Sequence, residues 1–146
     1  MKSTLVILLT LLSFHVKGQT KIFEGKVVDE FDLEPLPLVV VQTPDGVQLD
    51  TTDINGFFKI EVPVATNQLR LRAVSMEPTS IRLAPDCGKL EIIMMSDGTY
   101  DFMALHRVNY KRYKRFRKLP EKHKQAYTKG AFTSERPCII YTFQKY

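Results

Sequence analysis

The sequence predicts a mainly β protein: a seven-stranded β-sandwich, then a basic two-helix extension and a short C-terminal strand. Three observations carry this expectation. Between Lys21 and Met95, short β-branched or aliphatic segments alternate with turn residues at the spacing of an all-β sandwich. No helical period of useful length interrupts them. Beyond residue 98 the spacing becomes helical and the charge changes sign: residues 19–98 carry seven Lys/Arg against thirteen Asp/Glu, residues 99–146 twelve against three. The chain has 146 residues, 44% of them hydrophobic and 25% charged. That is enough for one buried core with an appendage, and it is not the composition of a disordered chain.

The first eighteen residues read as a secretory signal peptide. Lys2 supplies a positive start, and "LVILLTLLSF" is an apolar run too short to span a bilayer. Val16 and Gly18 occupy the small or neutral positions of a cleavage site, so cleavage is expected after Gly18, leaving Gln19 first. No cysteine lies at that point to take a lipid anchor. The expected organisation is a leader at 1–18, a sandwich domain at 19–98 and a helical extension at 99–146. The expected location is the periplasm, the outer-membrane surface or the medium.

"KIFEGKVVDE" is the first strand, with Gly25 inside it as the mark of a bulge or a close backbone approach. The acidic turn "EFDLEP" follows, then "LPLVVVQT" as one continuous apolar strand stopped by "PDG". "VQLDTT" and "FFKIEV" flank Asp53-Ile54-Asn55-Gly56. In "LRLRAVS", Leu69, Leu71 and Ala73 point one way and Arg70 and Arg72 the other. "TSIRLA" and "KLEIIMM" complete the set.

The Asp53–Gly56 run raises a choice between a calcium loop and a turn. A calcium loop of the EF-hand type needs Gly at its sixth position and a bidentate Glu at its twelfth. Counted from Asp53, Gly56 comes two places early and position twelve is Val64, which has no side-chain oxygen. Asn-Gly is a strong hairpin signal, because both residues tolerate the positive φ of a type I′ turn. Asp53, Asn55 and Gly56 are therefore expected to be structural.

These segments resemble the carboxypeptidase regulatory-like domain. The likeness lies in Gly25, Val27 and Asp29, in Pro35, Leu36, Val39 and Val41, in Thr52, Asp53, Gly56, Phe58 and Ile60, and in Ser75. It covers about half of the chain. Leu38 stands where that family usually has Gly, and Met76-Glu77-Pro78 where it often has Val-Gly-Tyr. The resemblance implies a transthyretin-like, seven-stranded sandwich without catalysis of its own. Such domains accompany metallocarboxypeptidases, precede TonB-dependent receptors, or stand alone in small exported envelope proteins. The stand-alone form is the one expected here.

The extension "DFMALHRVNYKRYKRFRKLPEKHKQAYTKGAF" reads as two helices divided at Leu119-Pro120, with Asp101 as first cap and Gly130 as terminator. At 100° per residue, Phe102, Leu105, Tyr113 and Phe116 share one side, with Val108 and Tyr110 at its margins. Arg107, Lys111, Lys114, Arg115 and Lys118 fall opposite. Three readings of that basic side stand: a solvated face over a docked apolar stripe, a contact with an anionic surface or acidic protein, or nucleic-acid binding. Export argues against the last. "CIIYTFQ" alternates like a strand added to a sheet edge.

Catalytic patterns are absent from the sequence. Ser75 in "AVSMEP" lacks the glycines of a nucleophile elbow, and Asp29, Glu30, Asp32 and Glu34 are spaced as a solvated turn. His106 and His123 have no evident carboxylate partner, and the cysteines and histidines make no zinc set. Cys87 and Cys138 form either one disulfide or two buried thiols, which sequence leaves open. The expected function is a non-catalytic interaction module of the bacterial cell envelope, with no cofactor. The alternatives are an accessory subunit of an envelope enzyme or TonB-dependent transporter, and an envelope hydrolase with an unrecognised site.

Overall fold

The computed structural model describes residues 18–146, so the expected leader, apart from exposed Gly18, lies outside the described residues. Seven strands come first: β1 (Thr20–Asp29), β2 (Val40–Gln42), β3 (Gln48–Thr51), β4 (Phe57–Pro63), β5 (Gln68–Arg72), β6 (Thr79–Leu83) and β7 (Lys89–Met94). Helices α1 (Leu105–Phe116) and α2 (Leu119–Lys129) follow, and β8 (Ile139–Thr142) ends the series. They form a three-stranded sheet, β4-β1-β7, and a five-stranded sheet, β3-β2-β5-β6-β8. Neighbours pair antiparallel except β1 and β7, which run parallel with Val28 opposite Ile93. The seven strands before residue 99 are joined by an eighth, so the extension completes a sheet.

Strand alternation sorts the side chains. Phe23, Val27, Phe58, Ile60, Val62, Leu90 and Ile92 of the smaller sheet share one buried cluster with Val41, Leu69, Leu71, Ile81 and Ile139 of the larger. The other face of β1 and β7 is apolar too: Val28, Ile93 and Met95 bury against Leu119, Ala126 and Phe132. This second cluster explains why "KLEIIMM" reads as a nearly continuous apolar run. A strand covered on both faces has no polar side to show.

Several local expectations are corrected. "LPLVVVQT" yields only Val40–Gln42 as strand, because Leu38 takes a left-handed φ of 58° and stands exposed. Val39 N–H donates instead to Thr52 Oγ1, at 2.9 Å. The Asp53–Gly56 turn is not type I′, since Gly56 has φ 75° while Asn55 keeps a negative φ. It is a type I turn closed by a glycine bulge, with Gly56 N–H donating to Asp53 O and Asp53 N–H to Phe57 O. Asp53 Oδ1 also accepts the N–H groups of Asn55 and Phe57, both at 2.9 Å. Gly25 sits in regular pairing opposite Phe58, and a β-carbon there would run into the Phe58 ring and lie 2.7 Å from Leu90 O. Close approach, not a bulge, is what it permits.

The helical segment begins later than expected. Phe102 has φ 59°, which breaks the path between Asp101 and Leu105, so Ala104 holds the cap position without a side-chain bond. The division at Leu119-Pro120 is present as a bend over Arg117 and Lys118. Pro120 lacks the N–H that a continuous helix would use, and it is tolerated in the first turn of α2. Gly130, at φ 81°, terminates α2. Among the described residues no helix is long and apolar enough to cross a membrane.

Candidate functional site

The helical segment turns inward only part of its apolar stripe, Phe116 with Val108 from its margin, and adds two arginines to it. On α1 the buried residues are Val108 and Arg112, with Arg115 and Phe116 partly buried beside them. Leu105 and Tyr113, which the docked-stripe reading turns inward, are exposed, and so is Tyr110. What draws Arg112 and Arg115 inward is a pair of buried carboxylates. Glu77, between β5 and β6, is 1% exposed, and Glu30, after β1, is 6% exposed.

Arg112 Nε donates to Glu77 Oε2 at 3.0 Å, and Nη2 lies 2.9 Å from the same oxygen. Its Nη1 donates to Asn109 Oδ1 and to the carbonyl of Gln144, so the guanidinium joins helix, sheet and C-terminal tail. The Tyr146 ring stacks over it, 3.6 Å from Cζ to the ring centroid. Arg115 pairs with Glu30, donates to Ser96 O at 2.6 Å and to Tyr100 Oη at 3.0 Å. Burial opposes its charge, but the hydrogen bond and charge of Glu30 outweigh this and hold its pKa above the ordinary arginine value. A charge removed from water needs such partners, and here each arginine has several.

Arg115 therefore leaves the expected anion-binding face and belongs to the scaffold. The acidic turn is corrected in part. Asp29 does organise it, accepting N–H groups from Phe31, Asp32 and Glu34, but Glu30 is buried and ion-paired, not solvated. At its far side Lys129 of α2 pairs with Glu34 at 2.8 Å. Cys87 and Cys138 are joined in a disulfide, with 5.2 Å between their Cα atoms. Tyr141 Oη accepts Ile93 N–H at 2.7 Å, a second tie between β8 and β7, and burial pushes its phenol pKa up.

Arg107, Lys111, Lys114 and Lys118 are all exposed. Beside them a shallow groove of about 590 Å³ runs between α1 and the C-terminal tail. Leu105, His106, Tyr110, Tyr113, Phe143 and Lys145 are among its lining residues, and Lys114 Nζ lies 5.5 Å from the Tyr110 ring centroid. Tyr110 and Lys114 share this outer face, held in place by the buried pairs beneath, whereas Leu105 lies on the opposite side of α1 from the exposed lysines. His106 is exposed at the groove.

His123 is wholly buried on α2 against Phe132, with Nε2 2.9 Å from Ser134 O and 3.9 Å from Glu91 Oε2. Sequence reasoning found no carboxylate for it because Glu91 lies on β7. Glu91 also accepts the Thr133 N–H and hydroxyl and the Ser134 N–H. Ser75 occupies a turn with φ 61°. Among the described residues no group of three or more His, Cys, Asp or Glu side chains is placed to hold a metal ion. The sequence signal for Arg112 is its spacing: it stands four residues after Val108, one turn on along the same side of α1. No protein-family model and no curated protein gives a significant match to this sequence.

Proposed function

We propose that this chain is a non-catalytic binding module of the bacterial cell envelope. Its scaffold would be a transthyretin-like sandwich similar to the carboxypeptidase regulatory-like domain, and its contact surface the outer face of α1. One observation carries the reading: the basic residues of the helix are divided by role. Arg112 and Arg115 are engaged inward by Glu77 and Glu30, whereas Arg107, Lys111, Lys114 and Lys118 stay exposed, with exposed Tyr110 and Tyr113 next to them. A face that only met water would have no use for a cluster of apolar side chains, and such patches mark contact sites.

The test is association of residues 19–146 with separated envelope fractions at low and high salt. The wild-type chain should bind in a salt-sensitive way, because exposed charges are screened beyond about 8–10 Å near physiological ionic strength. Exchanging Lys111, Lys114 and Lys118 for Glu should abolish that binding and leave the fold intact. Absence of salt-sensitive association with any fraction would leave the face as a solvated surface and sink the reading.

A further inference from the structure

We infer that the outer face of α1 lies on an anionic lipid bilayer, with Tyr110 and Tyr113 entering the interfacial layer and the lysines flanking them. The inference rests on the binding-module reading and names its partner. Between Phe102 and Pro120 the sequence contains no Asp or Glu, so the exposed face presents cations without internal compensation. Its partner must be negative.

The composition of the face favours lipid over an acidic protein. Tyr110 is 63% exposed and Tyr113 45%, and both line a groove whose wall is mostly apolar. Tyrosine at a bilayer surface places its ring among acyl chains and its hydroxyl among headgroups, and lysine flanks suit the same zone. The outward charges include Lys111, Lys114 and Lys118, flexible point charges suited to a diffuse negative potential. Arg112 and Arg115, whose rigid forks suit directed pairing with protein carboxylates, are already occupied inside the fold.

Geometry agrees. A twelve-residue helix is about 18 Å long, too short to cross a bilayer but sufficient to lie on one. The buried pairs fix its roll, so the same residues always face outward. Just ahead of α1, Phe102 combines a left-handed φ of 59° with complete exposure, a bulky side chain that packs on nothing in the chain itself.

The chain contains no tryptophan, so Tyr110→Trp introduces a single indole reporter at an exposed position. Residues 19–146 carrying it are mixed with phosphatidylcholine vesicles, and with vesicles of phosphatidylcholine and phosphatidylglycerol at about 2:1 to create a negative surface. The expected result is a blue shift and quenching by brominated acyl chains with the anionic vesicles only, reversed by salt. Lys111→Gln or Lys114→Gln should each lower partitioning about fivefold, the equivalent of ~1 kcal/mol per cation. Tyr110→Ser, measured by vesicle sedimentation, should lower it without changing the melting temperature.

Equal partitioning on both vesicles, or binding without any change at the indole, overturns the inference. So does no binding to either. Polyglutamate in place of vesicles separates the two levels: salt-sensitive binding to it, with none to anionic vesicles, removes lipid as the partner and keeps the binding module. Binding to neither overturns the lipid inference, and the binding-module reading is then decided by the envelope fractions.

Discussion

Arg112 of α1 and Glu77 of the β5–β6 connection form an ion pair in which both side chains are at most 3% exposed. One acid oxygen takes two guanidinium nitrogens, and Glu77 Oε1 has no hydrogen-bond partner, its nearest cation being Arg115 at 3.6 Å. The pair is thus a positional device more than a source of stability, since burial of both charges offsets most of their attraction. Removing one partner is another matter, because it strands the other. Arg112→Met should cost about 3–5 kcal/mol in urea unfolding. Combining it with Glu77→Leu should recover most of that loss, while the roll of α1 becomes less fixed. A single Arg112→Met variant as stable as wild type would show that the pair does not anchor the helix.

Gly56 gives a second expectation. At φ 75°, with Val27 O and Leu36 N (3.2 Å) against the place a β-carbon would occupy, it has neither the conformation nor the space for a side chain. Gly56→Val should lower stability by about 1–3 kcal/mol for the backbone strain alone. Asp53→Ala, which removes the acceptor for two turn N–H groups, should cost about 1–2 kcal/mol. Calcium should leave the melting temperature where it is. A calcium-dependent rise would mean that the Asp53 carboxylate serves an ion as well as the turn.

Strand pattern and turn chemistry made the β part legible. The "LRLRAVS" alternation places Leu69 and Leu71 in the core, and Gly130 ends its helix as a left-handed glycine should. Limits appeared where a distant partner decides. Nothing near Arg112 in the sequence announces Glu77, thirty-five residues earlier, yet that carboxylate sets which face of α1 is buried. A helical period read by hydrophobicity aims Leu105 and Tyr113 inward and Arg115 outward, and it leaves Arg112 unassigned. Buried ion pairs reverse that ranking. The turn type was missed for a smaller reason: Asn-Gly suits two turns, and the Asp53 carboxylate selects the type I form with a glycine bulge.

The Cys87–Cys138 bond joins the segment before β7 to the segment before β8, fifty-one residues apart in sequence. Closing a loop of that length removes unfolded-state entropy equivalent to about 4 kcal/mol at most. Reduction should therefore lower the melting temperature and speed amide exchange in β8 first, since β8 is an edge strand held on one side by β6. A Cys87→Ser/Cys138→Ser variant should melt low and be indifferent to reductant. If reductant leaves the wild-type melt unchanged, the bond contributes nothing to keeping β8 in its sheet.

His123 sets the pH dependence. Burial holds its pKa below the ordinary 6.5, and this outweighs the opposing pull of the Ser134 carbonyl and of Glu91. Nε2 donates to Ser134 O, so the neutral ring leaves Nδ1 as a buried lone pair without a partner. Protonation would put an N–H on that atom with nothing to receive it, an unmet donor costing about 1–3 kcal/mol. As pH falls, the unfolded chain takes up its proton first. Stability is thus complete above about pH 6.5 and declines as pH drops through the lower folded-state value. The measurement is the melting temperature between about pH 7.5 and 5.5, a window above the ordinary carboxylate range. Wild type should lose stability across it, and His123→Gln, uncharged throughout, should lose clearly less. Equal slopes for the two chains would mean that His123 does not govern acid sensitivity in this window.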